Sequence, residues 1–361
     1  MRVLIAAGGT GGHIYPGIAV AKEAMRRNPK SEVRFVGTAR GLETKLVPQA
    51  GFQLSLIESA GLVNMGIAAR LRGLLVLPKS FIAARSLIQD VRPDVVVGAG
   101  GYVSGPVLLT AVLMRIPTLV MESNAVPGWT NKVLARFVDR AAVSFETALP
   151  FFRGKGVVTG NPIRREFFDI PAKRRDATRF SLLVFGGSQG ARAINDAVVA
   201  ALPYLESERS VLHVTHQTGE ADFERVREGY AQAGWTKDAD VRRYIDDMVA
   251  LFADSDLIVS RAGATTGAEL IAAGKAAIMV PLPGQIEQRK NAETLQASGA
   301  ARMILQSDLT GERLAAEIAN LIHAPDTLTR MEEASRKLSR GDAAQAAVDL
   351  IEELVESHLR F

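Results

Sequence analysis

The chain has 361 residues and no cysteine, with 43 Lys and Arg against 39 Asp and Glu, and 47% of its residues are hydrophobic. This composition excludes disulfides, cysteine-based metal sites, a thiol nucleophile, wholesale disorder and fibrous repeats. The net charge of +4 conceals an asymmetry, because residues 1–160 carry ten more basic than acidic side chains and residues 161–361 carry six more acidic than basic ones. At about 100–200 residues per domain, the length predicts two domains.

Apolar runs that alternate with helical patterns predict two series of strands. The first series is Val3–Ala7, Glu32–Val36, Val95–Val97, Thr118–Met121, Arg140–Val143 and Gly156–Thr159. The second series is Leu182–Phe185, Ser210–Thr215, Val241–Arg243, Leu257–Val259, Ala277–Val280 and Ala301–Ile304. Continuous apolar strands separated by helices are typical of parallel sheets covered on both faces, so the sequence predicts an α/β protein with two Rossmann-like, doubly wound domains.

The break between the two series lies near residues 161–175, where Asn161-Pro162 is a turn signal and the following segment is polar. We therefore predict an N-terminal domain at residues 1–162 and a C-terminal domain at residues 163–340. Residues 330–359 have the pattern of one or two polar-faced helices, and a helix at about 341–361 would pack back on the first domain. The N-terminus lacks the apolar core of a signal peptide, and no apolar run reaches the ~18–20 residues of a membrane span.

Four predicted strands run into glycine clusters that precede helical sequence: residues 8–13, 98–105, 186–190 and 261–269. Glycine is common in such turns for steric reasons, but it also permits close approach of a ligand, and helix N-termini bind phosphates. Neither G-x-G-x-x-G with a following acid nor the Walker pattern is present, which argues against nicotinamide dinucleotides and ordinary ATPases. Arg40, after the second strand, leaves NADP as a minor alternative.

Three side chains near these clusters are candidates for chemistry. His13 lies inside a glycine loop, where it would accept a proton near neutral pH or bond the backbone at a helix start. Glu269 is expected in the first helical turn after its cluster, where it would interact with the helix dipole or accept hydrogen bonds from a ribose. Arg164, at the domain junction, would neutralise a diphosphate leaving group or be an exposed linker residue.

The segment Asp254-Ser-Asp256 imitates a metal-binding D-x-D motif but directly precedes an apolar run. We expect a helix end or a turn there. His213 and His216 follow a predicted strand, but the sequence around them offers no convincing further metal ligands, so the sequence predicts no metal site.

Six motifs carry a resemblance that covers nearly the whole chain. They are GGTGGHIYP at residues 8–16, GAGGYVSGP at 98–106, NAVPGWTN at 124–131, GNPIR at 160–164, GGSQGA at 186–191 and RAGATTGAE at 261–269. In identity and order they resemble the MurG family, the N-acetylglucosaminyltransferases of peptidoglycan precursor synthesis. The resemblance implies a GT-B architecture, with two Rossmann-like domains facing a cleft. It also implies inverting transfer of GlcNAc from UDP-GlcNAc to the muramoyl 4-hydroxyl of lipid I, giving lipid II, with no cofactor and no metal.

The resemblance also implies roles for individual residues. Ser188 and Gln189 would contact the diphosphate, Ile245 the uracil through its backbone, Glu269 the ribose and Gln288 the sugar. The full set of implied donor contacts is Thr10, Gly11, Gly12, Asn124, Arg164, Ser188, Gln189, Ile245, Ala264, Thr265, Glu269 and Gln288. The implied acceptor contacts are Gly100, Gly101, Tyr102 and Ser104. His13 is the candidate base, and Glu122 is the second candidate.

One departure from the family pattern is visible. The family usually has His-Glu-Gln-Asn before the Pro-Gly, and this chain has Met121-Glu-Ser-Asn124. Glu122 and Asn124 are retained. Two alternatives to the transferase stay open: a UDP-GlcNAc 2-epimerase of the same fold, and a non-catalytic sugar-nucleotide sensor.

A lipid-linked acceptor implies contact with a membrane. Residues 67–88 interleave apolar and basic side chains, which suits an interfacial helix, although a core-facing stripe gives a similar pattern. The candidates for contact with anionic lipid are Leu71, Leu74, Leu75, Lys79 and Phe81. We expect a peripheral position on the cytoplasmic face of the inner membrane, with cell-wall or division machinery as a further candidate partner. The chain lacks the aromatic and basic interleaving of a nucleic-acid module, so no nucleic-acid partner is expected.

Overall fold

The computed structural model describes residues 1–59, 67–175, 178–187 and 189–359, with the side chains of all of these except 67–76 and 359. The chain divides into two units. Unit 1 comprises Met1–Arg164 and the chain from Arg340 onward, and unit 2 comprises Arg165–Ser339.

In the described part of unit 1, seven parallel strands form one sheet in the order β3-β2-β1-β4-β5-β6-β7. The strands are β1 (Arg2–Ala7), β2 (Glu32–Gly37), β3 (Gln53–Leu56), β4 (Val95–Gly100), β5 (Thr118–Glu122), β6 (Arg140–Val143) and β7 (Gly156–Val158). The helices between them are α1 (Gly11–Arg27), α2 (Glu43–Gln49), α3 (Ile67–Val91), α4 (Ser104–Leu113) and α5 (Trp129–Leu134). A 3₁₀ helix spans Glu146–Phe152.

In unit 2, the described residues form a second parallel sheet of six strands in the order β10-β9-β8-β11-β12-β13. They are β8 (Phe180–Phe185), β9 (Leu212–Gln217), β10 (Ala239–Arg242), β11 (Leu257–Ser260), β12 (Ala277–Met279) and β13 (Ala301–Met303). The helices are α6 (Arg192–Ala201), α7 (Phe223–Gln232), α8 (Met248–Asp254), α9 (Ala264–Ala273), α10 (Ile286–Ala297), α11 (Gly311–Ile322) and α12 (Pro325–Leu338). Short 3₁₀ helices span Arg165–Phe167, Leu202–Glu208 and Gln306–Asp308.

The sheet of unit 1 is covered on both faces because successive side chains of a strand point to opposite sides. Val3, Ile5 and Ala7 of β1 pack in one cluster with α1. Leu4 and Ala6 pack in another cluster with α3 and α4. Burial on both faces explains why these strands are continuous apolar runs in the sequence.

The last helix, α13 (Ala343–Leu359), belongs to unit 1. Its Val348 and Ile351 are buried in the same cluster as β1 and α1. Arg27 of α1 ties it in place by donating to Asp349 at 2.6 Å and to Glu352 at 2.8 Å. The chain therefore leaves unit 1 once and returns to complete its core.

Two sequence-based expectations about strands were wrong. The strand β3 was not predicted. It lies at the edge of the sheet and none of its residues is fully buried, so its sequence Gln-Leu-Ser-Leu lacks the continuous apolar run of a central strand. The strand expected at Ser210–Thr215 lies two residues later, as β9, since a 3₁₀ helix and a turn occupy the preceding residues.

The strand order decides where the loops meet. In unit 1 the order reverses between β1 and β4, and in unit 2 between β8 and β11. Ligands of open α/β sheets bind outside the carboxyl ends of the strands at such switch points. All four glycine clusters follow these four strands. Of the described helices, none is long and apolar enough to cross a membrane.

Candidate active site

The first glycine loop leads from β1 into α1. Thr10 is the N-cap, and its carbonyl accepts from the N–H of His13 at 3.1 Å and of Ile14 at 3.3 Å. The first turn contains Gly11 and Gly12 and carries no acidic side chain. Its N–H groups and the positive end of the helix dipole therefore favour an anionic or polar ligand.

His13 is held by the same loop. Its Nδ1 lies 3.2 Å from the carbonyl oxygen of Gly8. Because a carbonyl oxygen only accepts, Nδ1 carries the proton, and Nε2 has the lone pair in the neutral ring. Burial lowers the pKa of His13, against the opposing effects of the Gly8 bond and the charge of Glu43. The imidazole is thus neutral at pH 7 and able to take a proton at Nε2.

The second glycine cluster packs directly on the first. Gly100 and Gly101 have φ of 119° and 85°, in the region that favours glycine. A Cβ on Gly100 would overlap the ring of His13, and a Cβ on Gly101 would overlap the carbonyl of Gly8. Any other residue here would displace His13 or the loop that holds it.

Ser104, expected to contact the acceptor, is fully buried and instead holds this loop. Its Oγ accepts from the N–H of Gly100 at 3.1 Å and lies within hydrogen-bond distance of the carbonyls of Ala6 and Gly100. This geometry contradicts the predicted acceptor contact. Tyr102 is 54% exposed and Gly101 is partly exposed, so these two remain able to meet a ligand.

Glu122, at the end of β5, also has a holding role. The two carboxylate oxygens accept from four donors in three residues that follow it: the backbone N–H of Asn124 at 2.9 Å and of Gly128 at 3.1 Å, and the amide groups of Asn124 at 3.0 Å and Asn131 at 2.8 Å. Burial raises the pKa of Glu122, and these bonds lower it. With its oxygens engaged by the loop, Glu122 orients Asn124. The assignment of Glu122 as a second candidate base is therefore contradicted.

Ser123 stands at one of the two positions, with Met121, where the chain departs from the family pattern. Its Oγ donates to Oδ1 of Asn161 at 2.8 Å, and both side chains are buried. Since none of the bonds to Glu122 comes from this position, the loop is held in spite of the departure. Asn131, which the sequence analysis did not single out, secures the loop by donating to Glu122 and to the Met121 carbonyl.

In unit 2, the loop after β8 lies against the loop after β9. A Cβ on Gly190 would overlap the carbonyl of Thr218, and a Cβ on Gly219 would overlap the carbonyl of Gln189. Gln189 is exposed, in agreement with a ligand-facing position. Ser188, the other predicted diphosphate contact, lies outside the described residues.

Gln217, at the end of β9, links this loop to residue Ile245. The side chain is 1% exposed; its Nε2 donates to the Gly187 carbonyl at 2.9 Å, and its Oε1 accepts from the Ile245 N–H at 2.8 Å. The expected backbone contact of Ile245 must therefore use its carbonyl, because its N–H is engaged. Gln217 was not predicted from the sequence, because no motif surrounds it.

His216 precedes Gln217 and is also structural. Its Nε2 lies 3.1 Å from Oδ1 of Asn195, and Nδ1 lies 3.2 Å from the hydroxyl of Tyr230. Asn195 in turn donates to the Thr218 carbonyl at 3.0 Å. Burial lowers the pKa of His216 to about 3, so the ring is neutral and fixes the position of Thr218.

The fourth glycine cluster opens α9, with Gly263 as the N-cap and Ala264 and Thr265 as the first helical residues. The Oγ1 of Thr265 is buried and has no hydrogen-bond partner among the described residues. Glu269 was expected in the first turn, but it is the sixth residue of the helix and lies in the second turn. The dipole acts mainly on the terminal turn, so this position argues against a dipole role for Glu269.

The remaining predicted residues occupy distinct environments. Gln288 accepts from the Leu282 N–H at 3.0 Å through Oε1, so the groups that it can offer a ligand are the N–H donors of its amide. Arg164 is exposed and is the last residue of the first segment of unit 1.

The Asp254-Ser-Asp256 segment ends α8, as expected, and lies at the amino end of β11. Asp256 accepts from Lys173 at 2.7 Å and from the Ser181 N–H at 2.8 Å. In the part of the chain that the structure describes, no three His, Asp or Glu side chains are grouped so as to hold a metal ion.

Comparison with known proteins identifies the family. Residues 3–143 match the model of the glycosyltransferase family 28 N-terminal domain, and residues 181–353 match that of the C-terminal domain. A transferase of Anaeromyxobacter sp. (strain Fw109-5) is 49% identical over 361 residues, covering 98% of this chain and 94% of the relative. The chain belongs to glycosyltransferase family 28.

The relatives share one name. The Anaeromyxobacter protein and one from Myxococcus xanthus, 47% identical over 98% of this chain and 93% of its own, are both named UDP-N-acetylglucosamine--N-acetylmuramyl-(pentapeptide) pyrophosphoryl-undecaprenol N-acetylglucosamine transferase. Among solved structures, the chain is similar to the crystal structure of Acinetobacter baumannii MurG. The two sequences are 33% identical, and the structures superpose with a TM-score of 0.81 over 98% of this chain and 99% of that one. The two parallel-sheet units are those of a GT-B fold, and the MurG resemblance is confirmed.

A 2-epimerase, the alternative reading of the sequence, is similar to this chain in fold only. UDP-GlcNAc 2-epimerase from Neisseria meningitidis aligns over 98% of this chain and all of its own with a TM-score of 0.68, but the two sequences are 13% identical. The likeness to this epimerase therefore shows a common fold and no more.

Proposed function

We propose that this family 28 protein transfers GlcNAc from UDP-GlcNAc to the muramoyl 4-hydroxyl of lipid I with inversion, producing lipid II and UDP. The observation that carries the proposal is His13, a neutral imidazole whose Nδ1–H is bound to Gly8 and whose Nε2 lone pair is ready to accept a proton. The names of relatives at 47–49% identity over nearly the full chain support the same reaction.

The chemistry needs a base and a stabilised leaving group. The acceptor oxygen forms a bond to the anomeric carbon while the bond from that carbon to the diphosphate oxygen breaks, and the hydroxyl proton goes to Nε2 of His13. Negative charge develops on the departing UDP. Preorganised N–H groups and cationic side chains stabilise such charge without reorganisation.

Unit 2 supplies the groups for the donor. The N–H groups at the start of α9 suit the diphosphate, together with the unsatisfied hydroxyl of Thr265. The exposed Gln189 and its neighbour Ser188 would add contacts from the loop after β8. Glu269 would take the ribose hydroxyls, and the amide N–H groups of Gln288 would donate to the sugar. The Ile245 carbonyl accepts the N3–H of uracil, a group that cytosine lacks.

The remaining contacts come from unit 1. In this proposal Thr10, Gly11, Gly12 and Asn124 would meet the sugar, Gly101 and Tyr102 would meet the acceptor, and Arg164 would add a cation for the diphosphate, whereas the buried Gly100 shapes the loop. We propose that these groups act without a metal or other cofactor.

The reaction is tested with radiolabelled UDP-GlcNAc and a lipid I analogue. We expect label to move to the lipid only when the acceptor is present, and His13→Ala to lower kcat by about 10²–10⁴-fold, since a positioned base contributes about that much. The Kd for UDP, measured by calorimetry, should stay within about twofold. Epimerisation of UDP-GlcNAc without acceptor would contradict the transferase, and an unchanged kcat would remove His13 from the mechanism.

A second prediction concerns Gln217. Replacing it by Leu leaves the Ile245 N–H and the Gly187 carbonyl without their partner, and each unsatisfied buried group costs about 1–3 kcal/mol. We expect Gln217→Leu to raise the Kd for UDP by about tenfold or more in calorimetric titrations. The exposed Gln232→Leu in the same unit is the matched control and should bind as the wild type does. Equal affinities of all three proteins would show that Gln217 does not organise the nucleotide site.

We further propose that unit 1 docks peripherally on anionic lipid at the cytoplasmic face of the inner membrane, where the lipid-linked acceptor is reached. On α3, Lys79 is exposed and Ile82 is 72% exposed, whereas the predicted contact Phe81 is partly buried. The side chains of Leu71, Leu74 and Leu75 lie outside the described residues. Leu113, at the end of the neighbouring α4, is 80% exposed and adds apolar surface.

Docking is tested by co-sedimentation with vesicles of anionic and of neutral phospholipid. Ile82→Glu places a charge where the proposal puts acyl chains, so we expect the fraction bound to anionic vesicles to fall several-fold. Ile286→Glu, at a 66% exposed position of unit 2, is the matched control and should bind as the wild type does. Equal binding of both variants would contradict docking through α3.

A further inference from the structure

A buried carboxylate lies beneath the first glycine loop, where the sequence analysis singled out no residue. Glu43 is the first residue of α2 and has no exposed surface. Its Oε2 accepts from the Gly9 N–H at 2.9 Å, and its Oε1 accepts from the N–H of Thr38 at 2.8 Å and from the Thr38 hydroxyl at 2.9 Å. These three donors come from two separate loops, so the carboxylate joins the end of β1 to the end of β2.

Glycines provide the space for this carboxylate. A Cβ on Gly8 would lie 3.0 Å from Oε1, and a Cβ on Gly37 would lie 2.5 Å from Cγ of Glu43. A Cβ on Gly41 would overlap the carboxyl group itself. These three glycines therefore leave the space that the Glu43 side chain occupies, in addition to allowing a ligand to approach the loop.

One peptide group connects Glu43 to His13. The N–H of Gly9 donates to Glu43, and the carbonyl of Gly8, which belongs to the same peptide bond, accepts from Nδ1 of His13. In a trans peptide the N–H and C=O point in opposite directions, so one planar group spans the space between carboxylate and imidazole. Hydrogen bonds in such a chain polarise one another, and the anion strengthens the carbonyl as an acceptor.

We propose that Glu43 is a positioning residue for His13 and acts through the Gly8–Gly9 peptide to hold the Nδ1–H tautomer and to stabilise the imidazolium that forms during transfer. The inference rests on the proposed function in so far as His13 is the base. The charge of Glu43 opposes the effect of burial on His13, and among the described residues it is the charged group whose field acts on that ring. On its other side the ring packs against Gly100, which brings no charge.

The sign of the expected pH effect follows from this charge. His13 must be neutral to accept a proton, so turnover falls at pH values below its pKa. Removing the negative charge of Glu43 lowers that pKa, because the imidazolium loses a stabilising partner. The acid limb of the kcat profile therefore moves to lower pH, and the plateau falls because a less basic imidazole is a weaker proton acceptor.

The decisive variant is Glu43→Gln, compared with Glu32→Gln, an exposed glutamate on β2. We expect Glu43→Gln to lower kcat by about 10–100-fold, to keep the KM for UDP-GlcNAc within about twofold and to shift the acid limb to lower pH. NMR titration should show a lower His13 pKa. Thr38→Val removes one bond to Glu43 without changing its charge or the Gly8–Gly9 bridge, so the His13 pKa should stay at the wild-type value.

Two results with the variants would overturn the proposal. One is a Glu43→Gln protein with wild-type kcat and a wild-type His13 titration; the other is a His13 pKa that falls as far in Thr38→Val as in Glu43→Gln. If Glu43→Gln does not fold, NMR of the wild-type protein still tests the proposal. Its imidazole ¹⁵N shifts must report the Nδ1–H tautomer, and the Gly9 amide proton must shift with His13 protonation.

The titration also separates this inference from the proposed function. A wild-type protein that transfers no GlcNAc to lipid I would contradict the transferase, whereas the NMR readouts would still test the link between Glu43 and His13. A wild-type protein that transfers GlcNAc but shows the Nε2–H tautomer would contradict the link alone.

Discussion

Backbone N–H groups in the loops at the carboxyl edge of each sheet need acceptors, and buried polar side chains provide them from beneath. Glu43 takes the N–H of Gly9, Glu122 takes those of Asn124 and Gly128, and Gln217 takes that of Ile245. An unpaired buried amide costs as much as a lost hydrogen bond, and often more. Each loop is therefore confined to the conformation in which its inward donors meet one side chain, and its other groups face outward.

The charge of each side chain that holds a loop suits the proposed ligand or reaction at that loop. In unit 1, where positive charge would develop on His13 in the proposed reaction, the side chains that hold the loops are the carboxylates of Glu43 and Glu122. In unit 2, where the diphosphate would lie, the loop after β8 is held by the neutral amide of Gln217. A buried carboxylate there would repel the ligand, whereas an amide supplies both a donor and an acceptor without net charge.

The loops could be predicted from the sequence, whereas most of the buried side chains that hold them could not. Glycine clusters after apolar strands are local signals, and the six motifs placed His13, Asn124 and Gln189 in the loops at the carboxyl ends of the strands. Glu43 and Gln217 escaped notice because their partners lie on other loops, and no periodicity marks a buried polar residue. Glu122 and Ser104 were recognised but given the wrong role, since only the bonding geometry shows that their oxygens are already engaged. Glu269 was misplaced by one turn because α9 begins at Ala264, within the glycine cluster rather than after it.

Amide hydrogen exchange tests this account most directly, because it reports on the N–H groups themselves. The amides of Gly9, Asn124, Gly128 and Ile245 lie in or beside loops, where exchange is ordinarily fast, yet each donates to Glu43, Glu122 or Gln217. We expect all four to be protected in the wild-type protein without ligand. We also expect Gln217→Leu to release Ile245 while the other three stay protected. Fast exchange at these amides in the wild type would contradict the claim that buried side chains hold the site loops in place.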